Sequence, residues 1–179
     1  VSSAIHISSE IEVSIWKFIY SDINSQYSEA DIFSYISKYR NSLIASQHIH
    51  HCNILRIFEI SAEEDPLSFS SERVTEPFLQ QKNITNDEAY FMIFQLCTAL
   101  NYLHNDFHVA YFSISPNNIF FSPHFDLKLA NLVHFGKFSN YDSIIEPNLY
   151  PLNSSIFDID PRFASPEVND NKPLTSYSD

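Results

Sequence analysis

The stretch VAYFSISPNNIFFSPHFDLKLANL, residues 109–132, decides the fold. An apolar start, a polar turn around Pro116, and a second apolar run at Ile119, Phe120 and Phe121 predict two short strands flanking a loop. Loops held by such rigid neighbours commonly carry reactive side chains. Where acid and base chemistry would call for Asp, Glu, Lys or His, this one offers Tyr111, Phe112, Ser113, Ser115 and Asn131. It has the frame of an active site without the usual groups.

Upstream, Thr85 and Glu88 have capping-box spacing, and Ala89, Met92, Ile93, Leu96, Leu100 and Leu103 make one apolar face. That pattern predicts a helix ending near His104. Further back, Ile32, Ile36, Tyr39 and Leu43 recur at helical spacing from Glu29 to about Ser46. Period-two alternation on both sides of Ser8-Ser9-Glu10 predicts a hairpin at the start. Residues 54–60 and 68–78 read as two more strands, separated by the charged turn Glu63-Glu64-Asp65-Pro66. Downstream, residues 134–161 read as a long irregular segment. The order is α+β: a strand-rich part, a crossing near residues 76–81 where a cleft would lie, then a helical part.

Composition narrows the function classes. With 179 residues, 44% hydrophobic and 15% aromatic, the chain can bury a real core. A net charge of −12 argues against nucleic-acid partners and against an anionic membrane surface. No apolar run is long enough to span a bilayer. Two cysteines, Cys52 and Cys97, make no disulfide framework and suit a reducing compartment. NIT at Asn83 and NSS at Asn153 match the glycosylation pattern but follow no secretory signal. His48, His50, His51 and Cys52 are bunched at one turn without a distant pair of ligands, so no metal site is expected. Gly136 is the only glycine, so left-handed turns must be made by other residues.

In this order the motifs resemble the eukaryotic protein-kinase fold over nearly the whole chain. Pro116-Asn117-Asn118 is similar to the catalytic-loop turn, and Asn131-Leu132-Val133, thirteen residues after Asn118, takes the place of Asp-Phe-Gly. Ser165-Pro166-Glu167 resembles Ala-Pro-Glu, His51-Cys52-Asn53-Ile54 the His-Pro-Asn-Ile turn, and Thr75-Glu76-Pro77-Phe78 the hinge. Asp179 resembles the aspartate that opens the next large-lobe helix. The resemblance implies a bilobal fold truncated at both ends, with a β-rich small lobe over residues 1–79 and a mainly helical large lobe over residues 80–179.

The resemblance also assigns jobs, and the residues depart from them. Ser113 stands where the catalytic base belongs, and a serine hydroxyl has no useful basicity near neutral pH. Ser115 replaces a lysine that steadies the transferred phosphate. Asn131 replaces the magnesium-binding aspartate, a neutral amide where a hard cation wants an anionic oxygen. Val13-Ser14-Ile15-Trp16 resembles Val-Ala-Ile-Lys, which puts Trp16 where the phosphate-pairing lysine belongs. Lys17 points to the opposite face of that strand, and the lysine's glutamate partner falls near Ser42. Phe112 replaces an arginine that would receive a phosphate on the activation segment, leaving Ser139, Tyr141 and Ser143 without that docking partner. Tyr111 and Leu132 keep an apolar pair where kinases stack an inter-lobe spine. Trp16 could serve as a stacking platform for a nucleotide or as a plug filling its place; its bulk favours the plug.

These departures imply a pseudokinase with no catalytic residues and no cofactor. The alternative is a domain retaining ATP, held without magnesium through Thr75, Glu76, Phe78 and Asn118, as a nucleotide-dependent switch or weak atypical Ser/Thr kinase. The closer resemblance is to the SCY-like pseudokinase family, in its coated-vesicle-associated branch, carried by EVSIW, SSERVTEPF, SISPNNI and DPRFASPEV. It implies a scaffold in vesicle trafficking with protein partners, among them vesicle-coat components, in the cytoplasm at Golgi or endosomal vesicles. Tyr111-Phe112-Ser113 departs from the His-Gly-Asn that relatives often keep.

Overall fold

The computed structural model describes residues 2–6, 10–18, 28–62, 67–75, 77–78, 84–112, 114–130, 136–139, 144–145, 162–169 and 179. The chain opens with the predicted hairpin. Strand β1 (Ser2–His6) runs antiparallel to β2 (Ile11–Phe18) with Ala4 opposite Val13. Glu10 enters β2 at φ 56°, a left-handed conformation that usually falls to glycine. His108, Phe112 and Phe125 also have positive φ. In a chain with one glycine, the left-handed turns are made by residues that carry a steric cost of about 1–2 kcal/mol each.

Helix α1 (Glu29–Ser46) follows, then β3 (Ile57–Ile60) and β4 (Leu67–Glu72). The four strands form one antiparallel sheet in the order β1-β2-β4-β3. On β2 the residues meeting α1 are Trp16 and Phe18, packed with Ile36, Leu43, Ile57, Leu67 and Phe69. The alternate residues of β2 are not buried as a set: Val13 is buried, but Ile11 is 57% exposed.

Both predicted strands in this region are longer in the sequence reading than in the structure, because their ends change partners. Ile54 and Leu55 leave β3 to pair with Leu129, the Leu55 amide donating to its carbonyl at 2.9 Å. After Glu72 the chain leaves the sheet, and the amides of Val74 and Thr75 bond to Ser14 Oγ and the Phe121 carbonyl.

The second half is built on α2 (Asn86–Asn105). Its start is set by the predicted capping box: the Glu88 amide donates to Thr85 Oγ1, and the Thr85 amide donates to Glu88 Oε2 at 2.8 Å. The buried face centres on Gln95, Ala99 and Leu103, turned from the predicted one, so that Ile93 is 57% exposed. Gln95 causes the turn, because its side chain finds buried partners described below. Against α2 lie β5 (Val109–Ala110), β6 (Ile119–Phe121) and β7 (Leu127–Leu129), the last two forming a hairpin.

The segment predicted to be irregular contains two short strands, β8 (Gly136–Ser139) and β9 (Ile144–Ile145). β8 pairs with β5 and β9 with β8. Their four and two residues are too few to show a period in sequence, yet β8 covers one edge of β5 and β9 extends the sheet beyond it. A single turn, α3 (Pro166–Asn169), completes the described elements. No helix among the described residues is long and apolar enough to cross a membrane.

Candidate functional site

Three chain segments meet where the resemblance puts a cleft: β2, the crossing after β4, and β6. Trp16 is the largest side chain among them. Its indole stacks on Phe69 of β4, ring centroids 5.5 Å apart and 4° from parallel. It also meets Phe120 of β6 edge-on, at 5.0 Å and 79°. Each such aromatic pair adds about 0.5–1.5 kcal/mol beyond the area it buries. The indole N–H donates to Ser71 Oγ at 2.7 Å, satisfying the ring's one polar atom. Trp16 packs against two hydrophobic clusters, one with α1 and one formed by Leu55, Val74, Phe120 and Ala130. Lys17 is exposed. Ser42, on α1, is buried with no partner for its hydroxyl.

Two residues before Trp16 on the same strand face, Ser14 is also buried. Its hydroxyl accepts the Val74 amide at 3.0 Å. At the next position the Thr75 amide and hydroxyl both donate to the Phe121 carbonyl, at 2.8 and 3.1 Å. Pro77 bridges to Phe120 and has no N–H to give. Phe78 is partly buried against the α2 core, its ring 6.2 Å from that of Phe121. Glu76 lies outside the described residues.

The loop that opened the sequence reading is held from beneath by Asp179. This carboxylate accepts the Tyr111 amide, Oδ1 at 2.9 Å and Oδ2 at 2.8 Å, accepts the Phe112 amide as well, and lies 2.6 Å from His104 Nε2. Phe112 takes φ 57°, and its amide shares an acceptor with that of Tyr111. Tyr111 is fully buried, and its hydroxyl donates to the Ala130 carbonyl. Burial, reinforced by the charge of Asp179, pushes this phenol's pKa well up, so it stays protonated and keeps its donor. Ser115 is half-buried, and its carbonyl accepts the Asn118 amide at 3.0 Å; the Asn118 carbonyl accepts from Ala130 at 2.8 Å. The loop thus folds back on the strand leading to Asn131. Ser113 and Asn131 themselves lie outside the described residues.

A second polar centre joins the two halves at the turn His51–Ile54. Asn53 is buried and donates from Nδ2 to Gln95 Oε1 and to the Leu127 carbonyl, both at 3.0 Å. Gln95 Oε1 also accepts the Leu127 amide at 2.6 Å. His51 stacks on Tyr102 and accepts the Asn53 amide at Nδ1, 3.1 Å away. Burial, with the nearby positive charge of Lys128, lowers the His51 pKa against the weaker opposing effect of Asp106. Among the described residues no group of three or more His, Cys, Asp or Glu side chains could hold a metal ion.

The model of one family, the protein kinase domain, matches residues 1–179. The chain belongs to the protein kinase domain family. Among curated proteins, none matches it in sequence. In this kinase domain the structure brings Trp16, Thr75, Phe78, Ser115 and Asn118 to the faces of one region, through Phe120, Phe121 and Ala130. Sequence reasoning missed Ser14, which the face-sharing spacing to Trp16 could have flagged. It also missed the Asn53–Gln95 pair, for which local sequence holds no signal. The motif that singles out Asp179 carries no sign of its bonds to the Tyr111 and Phe112 amides.

Proposed function

We propose that this kinase domain is a non-catalytic, protein-binding scaffold, a pseudokinase of two lobes meeting at the crossing after β4. The observation that carries this reading is the position of Trp16. The resemblance assigns that position to the lysine that pairs with nucleotide phosphates, and here an indole occupies it, stacked on Phe69 and edge-on to Phe120. Phosphoryl transfer depends almost wholly on positioning and electrostatic stabilisation. Trp16, Ser113, Ser115 and Asn131 replace the lysines, the base and the metal ligand with uncharged groups, which removes both contributions together. The Asp179 and Tyr111 contacts keep the loop's shape without that chemistry, as a binding module requires.

The short motifs further support a SCY-like assignment, and with it protein partners that include vesicle-coat components, in the cytoplasm at Golgi or endosomal vesicles. The deciding experiment is a sensitive phosphate-transfer assay with ATP and either magnesium or manganese, run on the full-length protein and on a Trp16→Ala variant. No transfer above a no-protein blank is expected from either. Transfer by the wild type at a rate proportional to its concentration, and persisting through repurification, overturns the reading.

A further inference from the structure

Trp16 does more than occupy a position that a lysine would fill. Its ring touches one aromatic on each side of the crossing, Phe69 in the four-stranded sheet and Phe120 in the β6–β7 hairpin. It also bridges the cluster packed on α1 and the cluster of Leu55, Val74, Phe120 and Ala130. A bound heteroaromatic molecule would make contacts of this kind: one stacked apolar wall, one edge-on aromatic and one hydrogen bond at its edge. Here the hydrogen bond is Nε1–H to Ser71 Oγ.

The crossing segment points the same way. A purine bound against it would need backbone donors, and those of Val74 and Thr75 are taken by Ser14 Oγ and by the Phe121 carbonyl. Pro77 supplies none. The Ser14 bond is buried, so a ligand acceptor would have to displace it, leaving a hydroxyl to find a new partner away from water.

We infer that Trp16 is a built-in occupant of the cleft, holding the two halves together as a bound heteroaromatic ligand would, so that their packing is independent of nucleotide. The inference rests on the reading of the cleft as non-catalytic and adds what fills it. Its corollary concerns ligand class. Removing the indole leaves a slot walled by Phe69 and Phe120, with Leu55, Val74 and Ala130 around it and Ser71 Oγ as acceptor. That slot suits a flat heteroaromatic carrying one N–H donor, indole above all.

Trp16 is the only tryptophan in the chain, so its emission reports the cleft directly. Wild-type protein titrated with ATP, with and without magnesium, should show no saturable change in emission after inner-filter correction. A saturable quench or spectral shift below millimolar ATP overturns the inference. Independently, Trp16→Ala should melt at a lower temperature than wild type and be restored by several degrees on adding indole at about ten times its Kd. Wild type should not respond. A folded Trp16→Ala variant indifferent to indole overturns the inference, and if that variant does not fold, the wild-type titration decides alone. The outcomes separate the two readings. ATP-dependent quenching without phosphate transfer refutes the built-in occupant and leaves the scaffold standing. Phosphate transfer refutes the scaffold.

Discussion

The Asp179 carboxylate accepts the Tyr111 amide with both oxygens, at 2.9 and 2.8 Å, and reaches the Phe112 amide as well. Asp179→Ala leaves two amides beneath the loop without their acceptor, at a cost of about 3 kcal/mol. Asp179→Asn keeps one acceptor oxygen and should lose about half as much. Urea titrations test this, through a lowered midpoint at unchanged slope.

Gln95 and Asn53 form a pair on which the second polar centre depends. Gln95→Met keeps the volume but leaves the Leu127 amide without its acceptor and takes one of two partners from Asn53 Nδ2, which keeps the Leu127 carbonyl. A loss of about 2–4 kcal/mol is expected. In a double-mutant cycle with Asn53→Ala the two losses should be strongly non-additive, with a coupling of at least about 1 kcal/mol.

His51 gives the protein a pH dependence of known sign. Its folded-state pKa lies below the ordinary value of 6.5, so between the two values the unfolded chain binds the extra proton. The contribution of His51 is therefore complete above pH 6.5 and shrinks as pH falls through that value toward the folded one. His51→Asn keeps an acceptor for the Asn53 amide and does not titrate. Unfolding free energies measured from pH 8 to pH 5 should fall less steeply in the variant.

Thr85 caps α2 from an exposed position. Thr85→Ala should cost about 1 kcal/mol, and hydrogen exchange should show the loss confined to the first turn. At low pH, protonating Glu88 should reproduce part of that fraying, because its carboxylate pKa is lowered chiefly by the bond from the Thr85 amide and then by that from the hydroxyl. A Glu88→Gln variant, which keeps an acceptor, should fray less than wild type once the pH lies below the carboxylate's titration.

What could be read from sequence was what local chemistry fixes. Thr85 and Glu88 set the start of α2 because capping involves residues three apart. The hairpin at Glu10 and the turn at Pro116 are local in the same way. The errors share a different cause. Ile93 seemed a core residue because apolar spacing says nothing about Gln95, whose partner Asn53 lies 42 positions away. The strand ends at Ile54 and Val74 shifted because Leu129 and Ser14, distant in the chain, claimed their backbone groups. In the candidate site, Trp16 carries a motif, whereas Ser14 shows only its spacing on the strand face and no sign of the Val74 amide, 60 positions away, that its hydroxyl accepts.

The turn at Asn53 has a consequence for the order in which the molecule can be made. Its side chain bonds to a strand 74 residues further on, and Leu55 relies on the same strand for its amide's partner. During synthesis the four-stranded sheet and α1 emerge first, with Asn53 and Leu55 still unpaired. Closing so long a loop is entropically costly and slow. The turn at residues 51–56 is therefore fixed only after Leu127–Leu129 has left the ribosome, and a nascent chain stalled before that point should remain protease-sensitive there.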